Sequence, residues 1–257
     1  MTSPTALPIQ PTSTASRTLI LVYGVTCYFL GLSGLLWLIL GTLGLVPTGV
    51  LGSLGLSTTG AVLFNVSLVA LFGIQHAIMA RPRFKRWWTT VIPAATERST
   101  FVVIAGGLMA LIMAAWQPTP GVLWSVEAGP LFLGLYAVAG IGWTYMLLAS
   151  FMINHFELFG LQQVWRQFRG QSDSSDPIVV RGLYQIDRHP IMTGVFLGLW
   201  GTPHMDTTRL VLALAFTTYM VVGVAIEERT LVEEHGEDYE TYRGRVPALF
   251  PLPGRRA

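Results

Sequence analysis

Ionisable and aromatic residues near the C-terminus have the types expected of a site for a small charged ligand. They stand before and after a pair of short apolar segments: Tyr184, Arg188 and His189 come before the pair, and Glu227, Glu228, Tyr239 and Tyr242 come after it. If the two segments fold back as a hairpin, both groups meet at one end. Charges of both signs suit an amino-acid headgroup, and apolar or aromatic walls suit an adenine. We therefore expect a ligand site at the feet of this hairpin.

The Arg-His-Pro triplet also predicts where a helix begins. Proline suits the first turn of a helix, because its missing N–H is not needed there and the free N–H groups nearby can meet an anion. A helix is therefore expected to start at Pro190, with Arg188 and His189 at its entrance. A structural interpretation stays open, since Arg and Glu at the ends of membrane segments often reach lipid headgroups or pair with each other.

The rest of the chain is strongly apolar and predicts a membrane protein. Of its 257 residues, 52% are hydrophobic and 12% are charged, whereas soluble domains have about a quarter of charged residues. Four long runs lack Lys, Arg, Asp and Glu, and each could cross a core of about 30 Å as a helix: 18–46, 59–80, 99–117 and 130–153. Two shorter runs, 190–203 and 210–226, predict a short helical hairpin. The expected fold is an all-α integral membrane protein with about six transmembrane segments.

Basic residues predict the orientation of this bundle. The first connection between runs has no charge, and the third has only Glu127, whereas the second is strongly basic, with Arg81, Arg83, Lys85, Arg86 and Arg98. By the positive-inside rule the second connection faces the cytoplasm. Threading six segments from that anchor places both termini and the C-terminal pocket on the cytoplasmic side, together with every Lys and Arg except Arg209.

Composition divides the chain into three parts and excludes some partners. Residues 1–17, rich in Pro, Thr and Ser, predict a disordered tail; residues 18–153 hold four spans, and residues 154–257 form the ligand-binding region with hairpin 190–226. The single cysteine, Cys27, allows no intrachain disulfide, and the lack of Cys/His clusters with zinc spacing predicts no metal site. A net charge of +2 without a polybasic block predicts no nucleic-acid partner.

Three glycines of the fifth segment share one helical face. Gly194, Gly198 and Gly201 fall at positions i, i+4 and i+7, and such faces let membrane helices approach closely. We interpret this face as a packing surface. Room for a ligand beside Gly194 is the alternative, because Gly194 closely follows the Arg-His-Pro triplet.

The C-terminal half resembles the integral membrane methyltransferases that include isoprenylcysteine carboxyl methyltransferase and the phospholipid methyltransferases. Their shared pattern is Arg-His-Pro, a small hairpin, Glu-Glu and Gly-x-x-Tyr-x-x-Tyr-x-x-x-Val-Pro, found here at 188–190, 227–228, 236–242 and 246–247. Further segments resemble the bacterial methanethiol S-methyltransferases, and this wider resemblance covers nearly everything from Tyr28 to Pro251. Its motifs include residues 32–37, 72–76, 79–88, 97–100 and 154–161.

The resemblance implies S-adenosylmethionine as methyl donor, methanethiol as acceptor and the bacterial inner membrane as location. Hydrogen sulfide or another small thiol would satisfy the same chemistry. The family's cofactor contacts carry over to Asp176, Pro177, Ile178, Val179, Tyr184, His189, Pro190, Ile191, Met192 and Glu227. The rest of the motif adds Arg188, Glu228, Tyr239 and Tyr242. The family usually has tyrosine where this chain has Met192; its thioether can pack on adenine but cannot donate the phenol hydrogen bond.

A thiol acceptor adds the need for a base. The thiolate is the nucleophile, and a small alkyl thiol is mostly protonated at neutral pH. His155 is the candidate base, because it follows the fourth span beside Glu157, which could orient its ring. A hydrogen-bonded structural role is the alternative for His155. His76, near the end of the second span, and Asn154 are candidates for the substrate-binding site.

Other functions stay open on the sequence alone. A methyltransferase for an isoprenylcysteine or phospholipid substrate would need an opening to the lipid, and a membrane reductase similar to the sterol reductases would bind NADPH. A scaffold or transporter would tolerate alanine at His189 and Glu227. It is disfavoured, because no ionisable side chain other than histidine lies at mid-membrane depth to mark a charge pathway. The sequence does not indicate an oligomeric state.

Overall fold

A computed structural model describes residues 13–171 and 180–250 and shows a bundle of helices. In chain order these are α1 (Thr14–Thr42), α2 (Thr58–Met79), α3 (Pro82–Trp88), α4 (Glu97–Ala115), α5 (Pro130–Ile153), α6 (His155–Leu158), α7 (Leu161–Arg169), α8 (Pro190–Trp200), α9 (Thr207–His235) and α10 (Glu237–Arg245). Strands β1 (Val122–Ser125) and β2 (His204–Asp206) form a small antiparallel sheet. Five helices, α1, α2, α4, α5 and α9, are long and apolar enough to cross a membrane. The predicted all-α integral membrane fold is confirmed.

The final pair of apolar helices differs from the predicted short hairpin. Helix α8 is short, with 11 residues, and extends only about 16 Å. Helix α9 has 29 residues and continues through Glu227 and Glu228 to His235. The prediction of a second short arm ending at 226 is therefore wrong. Charged residues end the apolar run there, but Glu, Arg and Leu are good helix formers, so the helix continues.

Local capping explains where several helices begin. Helix α1 starts at Thr14, before the predicted boundary at 17, because the Ser13 hydroxyl accepts the N–H of Ser16 at 3.2 Å. Asp206 caps α9 in the same way, accepting the N–H of Arg209 at 2.7 Å. Residues 1–12 of the predicted tail lie outside the described residues, and the division of the chain into three parts stays a prediction.

Glycine faces bring two pairs of helices into backbone contact. On α8, a Cβ at Gly194 would lie 2.6 Å from the carbonyl oxygen of Gly142 on α5, and one at Gly198 would lie 2.4 Å from the Trp143 ring. Helices α1 and α4 meet likewise, since a Cβ at Gly34 would lie 2.0 Å from the carbonyl oxygen of Gly106. The interpretation of the α8 glycine face as a packing surface is therefore confirmed.

The helices surround one apolar core and leave their connections at two ends. The core draws side chains from the five long helices and α8, among them Leu38, Phe72, Ile112, Trp143, Leu199 and Phe216. One end, called the neutral end, gathers the connections 43–57, 116–129 and 201–206. There Asn65 exchanges two hydrogen bonds with the backbone of Gln117, at 2.8 and 2.9 Å.

The opposite end, called the basic end, gathers the connection 80–96, residues 154–171 and 180–189, and the segment 236–250. Arg98 donates to the carbonyl of Leu158 at 2.7 Å, and Arg81 donates to the Thr230 hydroxyl at 3.3 Å. Every Lys and Arg in the described part of the chain except Arg209 belongs to this end. The start of α8 and the part of α9 around Glu227 and Glu228, where the ligand site is expected, also lie at the basic end.

Candidate functional site

Arg188 is the centre of a network that joins α8, α9 and α10. Its guanidinium donates to Oε1 of Glu228 from Nε at 2.9 Å and from Nη2 at 2.5 Å. Nη1 donates to the backbone carbonyls of Arg243, at 2.8 Å, and of Val246. The side chain is 8% exposed, and a buried charge is tolerated only when it is paired and hydrogen-bonded in this way. Arg188 therefore fixes the start of α8 against the other two helices.

His189 lies between the two carboxylates of α9. Its Nε2 is 3.2 Å from Oε1 of Glu228, within hydrogen-bond distance, whereas its Nδ1 is 3.8 Å from Oε2 of Glu227. The second distance is too long for a hydrogen bond. The His189 side chain is 6% exposed and that of Glu227 is 54% exposed. Glu227 thus faces the imidazole while keeping its oxygens accessible to a ligand.

Asp187 holds the backbone at the entrance of α8. Its carboxylate accepts the N–H of His189 at 3.0 Å and is fully buried, and the Tyr145 hydroxyl of α5 lies 3.5 Å from its other oxygen. Burial raises the pKa of this carboxyl, and hydrogen bonds from Thr193 and His189 oppose the rise. Asp187 is not among the site residues predicted from the sequence. Its signal is an acid directly before an Arg-His-Pro triplet, where a side chain can satisfy free N–H groups.

The three tyrosines pack together beside these groups. The Tyr242 hydroxyl donates to the carbonyl of Tyr184 at 2.5 Å, and the rings of Tyr239 and Tyr242 meet edge to face at 5.9 Å. Burial raises the pKa of both Tyr239 and Tyr242 to about 12. Burial, followed by the Glu227 carboxylate, also raises the pKa of Tyr184. All three phenols are therefore neutral at pH 7.

The other cofactor candidates lie in the first turn of α8 or outside the described residues. Pro190 is fully buried, and Ile191 packs against the core. Met192 is half-buried, and its N–H donates to the carbonyl of His189 at 2.9 Å. The remaining four lie outside the described residues: Asp176, Pro177, Ile178 and Val179. The structure thus brings together Tyr184, Arg188, His189, Glu227, Glu228, Tyr239 and Tyr242.

His155 has a hydrogen-bond partner at each ring nitrogen. The Ser150 hydroxyl donates to the carbonyl of Leu147 at 2.7 Å, so Nδ1 of His155, 2.9 Å from the same oxygen, acts as the donor. Its Nε2 then accepts from the Tyr28 hydroxyl at 3.0 Å. Burial lowers the pKa of this imidazole. These contacts link α1 to α5 and favour the structural alternative for His155.

Asn154 and Glu157 bond to each other. The Asn154 amide donates to Oε2 of Glu157 at 2.8 Å, and its oxygen accepts the N–H of Glu157 at 3.3 Å, which caps α6. Ser150 and Tyr28 hold the ring of His155, and the orienting role of Glu157 stays a prediction.

His76 is enclosed by aromatic rings near the basic end. Its ring centroid lies 4.7 Å from that of Phe101, 5.4 Å from that of Phe72 and 6.0 Å from that of Tyr219. Its Nδ1 is buried and has no hydrogen-bond partner in the described part of the chain. The sequence does not single out these aromatic residues, because rings in apolar segments usually serve core packing. Tyr219 carries a weak signal, as a phenol in a segment with no other polar side chain larger than threonine.

Two open pockets on the described surface are lined by residues outside the cluster around Arg188 and His189. One, of about 530 Å³, is lined by Ile78, Arg81, Pro82, Arg83, Phe84 and Trp87. The other, of about 340 Å³, includes Tyr23 and Thr100. Neither includes His189 or Glu227. The candidate site is therefore identified by its side-chain chemistry and not by the size of a cavity.

Comparison with known proteins gives long matches. The chain is 37% identical over 244 residues to methanethiol S-methyltransferase of Crocosphaera subtropica, covering 94% of this chain and 95% of that protein. It is 38% identical over 241 residues to methanethiol S-methyltransferase of Mycobacterium tuberculosis, covering 93% and 98%. It is also 38% identical over 247 residues to methanethiol S-methyltransferase 1 of Bradyrhizobium diazoefficiens, covering 95% and 87%.

No family model and no solved structure matches the chain. The matches nevertheless cover 87% to 98% of the length of the three relatives, so they include the long helices as well as the basic end. This chain belongs to the methanethiol S-methyltransferase family.

Proposed function

We propose that this protein transfers a methyl group from S-adenosylmethionine to methanethiol and releases dimethyl sulfide. The observation that carries the proposal is the match to three methanethiol S-methyltransferases over 93% to 95% of this chain. The site at the basic end supports it independently, because it gathers a carboxylate, an imidazole and tyrosine rings at the feet of α8 and α9. Hydrogen sulfide and other small thiols stay as further candidate acceptors.

The residues of the site fit S-adenosylmethionine. The exposed oxygens of Glu227 suit the donor's ammonium group or its ribose hydroxyls. The rings of Tyr184 and Tyr239 and the thioether of Met192 offer walls for adenine. Arg188 and Glu228 neutralise each other, so we propose that this pair positions His189 and does not touch the donor. The segment 176–179 completes the proposed set on the strength of the family resemblance.

The protein's part in the reaction is alignment, exclusion of water and proton removal. When bound, S-adenosylmethionine supplies a sulfonium methyl carbon, to which the thiol sulfur bonds as the old carbon–sulfur bond breaks. The charges of thiolate and sulfonium disappear together, so the reaction gains from a dry, fixed site. The buried side chains of Tyr184 and His189 provide such surroundings at the feet of α8 and α9.

We propose a location in the bacterial inner membrane with both termini in the cytoplasm. The placement of the described Lys and Arg residues at one end, with the exception of Arg209, supports this orientation. The site then faces the cytoplasm, where S-adenosylmethionine is made. A lipid-modified substrate and an NADPH-dependent reduction stay as alternatives.

The test is headspace gas chromatography with the purified protein in nanodiscs. With S-adenosylmethionine and methanethiol we expect dimethyl sulfide, and with NADPH in place of the methyl donor we expect none. Glu227→Ala and His189→Ala should abolish the product without unfolding the protein, whereas Glu233→Ala on the exposed last turns of α9 should not. Absence of product from the unaltered protein across a panel of small thiols would remove the proposal. A phospholipid or prenylcysteine substrate methylated in its place would establish the alternative.

A further inference from the structure

We infer that His76 and the rings around it form the acceptor site, in which the small thiol binds and gives its proton to His76. This inference rests on the proposed function and names the part of the protein that holds the second substrate. It assigns the base to α2, where Phe72 and His76 lie, and not to His155.

Three buried or half-buried histidines near the basic end differ in what their nitrogens contact. His155 has both nitrogens bonded, to Ser150 and Tyr28, and His189 faces the carboxylates of α9. The ring of His76 makes no hydrogen bond within residues 13–171 and 180–250, and its Nδ1 is buried. Burying an imidazole nitrogen without a partner is unfavourable, because its hydrogen bond to water is lost and not replaced. A ligand with an S–H group would supply the missing partner.

The walls around His76 suit a small sulfur compound. Phe101 of α4, Phe72 of α2 and Tyr219 of α9 surround the imidazole with ring centroids at 4.7 to 6.0 Å. Divalent sulfur makes favourable contacts with aromatic rings at about 5 Å. Tyr219 can lie this close to α2 because Gly73 has no side chain, since a Cβ there would lie 2.9 Å from the Tyr219 ring. Three helices thus surround the His76 imidazole with aromatic side chains, called the His76 enclosure, and such apolar surroundings suit a methyl group and a sulfur atom.

Helix α9 contributes to both places, with Tyr219 beside His76 and Glu227 in the proposed donor site. Helices α2 and α9 run in the same direction, with Gly73 against Tyr219 and Arg81 bonded to Thr230. At the level of His76, between Tyr219 and Glu227, α9 has Gly223, where a Cβ would meet no atom within 4 Å. Tyr219, Gly223 and Glu227 fall at positions i, i+4 and i+8 and share one face of α9, so the missing side chain of Gly223 leaves the helix surface between Tyr219 and Glu227 uncovered.

The proposed proton and methyl transfers conserve atoms and charge. The thiol proton passes from sulfur to Nδ1 of His76, the sulfur forms its new bond to the methyl carbon, and the donor's carbon–sulfur bond breaks to leave a neutral thioether. The imidazolium then returns its proton to water. A positioned base of this kind contributes about 100-fold or more to a rate. The proposal assigns this role to His76, because the imidazole of His189 faces the carboxylates of α9.

The first test compares His76→Gln with the unaltered protein. We expect kcat/KM for methanethiol to fall about 100-fold at pH 7, with unchanged affinity for S-adenosylmethionine by isothermal titration. Raising the pH should reduce the difference in kcat/KM between the two proteins, because more of the methanethiol in solution is then already thiolate and needs no base. The other groups that face His76 and could titrate or carry charge, Arg98 of α4 and Tyr219 of α9, are kept in both proteins. His235→Gln, on the exposed end of α9, is the matched control and should match the unaltered protein.

Two results would overturn the inference. One is an unchanged kcat/KM and pH profile in His76→Gln, and the other is loss of donor binding together with activity, which would mark a role at the donor site. Tyr219→Phe keeps the ring and should lower kcat/KM by less than threefold. If the unaltered protein makes no product, the proposed function itself fails, and this result is distinct from a defect confined to His76→Gln.

The second test does not depend on turnover. Diethyl pyrocarbonate modifies neutral imidazoles, and peptide mass spectrometry can follow the modification of His76 in the nanodisc-bound protein. Dimethyl sulfide, which has no thiol to react with the reagent, should slow the modification of His76 and leave that of His235 unchanged. Equal rates with and without dimethyl sulfide would contradict binding of the sulfur compound in this enclosure.

Discussion

Two adjacent glutamates of α9 show how burial separates positioning from binding. Glu228 is 17% exposed and bonds to Arg188, whose own side chain is 8% exposed. Glu227 is 54% exposed and lies 3.8 Å from His189 without a hydrogen bond. The two glutamates therefore have different roles: Glu228 is the partner of a buried cation, and Glu227 is an accessible carboxylate beside an imidazole.

Neutralising each glutamate in turn should separate these tasks. Glu228→Gln leaves the buried Arg188 without its counterion, so we expect a loss of stability on the order of 3 kcal/mol and a clear drop in melting temperature. Glu227→Gln should leave the melting temperature nearly unchanged, because its carboxylate is 54% exposed and makes no hydrogen bond to His189, but should weaken binding of S-adenosylmethionine at least tenfold. Thermal denaturation and isothermal titration in one detergent measure both effects. The assignment fails if Glu227→Gln is the destabilised variant.

Helix α8 carries His189 and depends on α5 for its position. It is too short to cross the membrane and packs its glycine face directly on the backbone of α5. A Cβ at Gly142 of α5 would lie 2.5 Å from the backbone nitrogen of Gly198 and 2.7 Å from the carbonyl oxygen of Gly194. Backbone atoms cannot rotate away as a side chain can, so any added atom must move one helix.

Alanine scanning within α5 tests this dependence. Gly142→Ala should force α8 outward, which moves His189 away from Glu227 and lowers both melting temperature and donor affinity. Gly140→Ala, two residues away, has open space around the added methyl and should be neutral or stabilising by up to about 1 kcal/mol, the helix-propensity gain of alanine over glycine. Equal behaviour of the two variants in thermal denaturation would refute tight backbone packing between α5 and α8.

The sequence predicted much of the architecture and the main cluster of the site, for identifiable reasons. Apolar runs and a hairpin are local patterns, so the spans and the meeting of His189 with Glu227 could be foreseen. The bonds from Arg188 to the carbonyls of Arg243 and Val246 could not, because they depend on how α10 docks. The enclosure of His76 was equally hidden, since it is built from rings on three separate helices. Long-range packing, and not residue type, decides which polar groups are used in hydrogen bonds within the protein and which remain free to bind a ligand.

The distribution of charge over the entire chain predicts how it inserts. Every Lys and Arg that the structure describes, apart from Arg209, belongs to the basic end, and translocating such a cluster is disfavoured. In a Cys27→Ala background, a membrane-impermeant maleimide should label Ser53→Cys at the neutral end in intact bacterial cells. It should label Thr90→Cys at the basic end only after lysis; both positions are exposed. The reverse pattern would place the His189 site outside the cytoplasm, away from the supply of methyl donor, and would contradict the proposed reaction as well as the orientation.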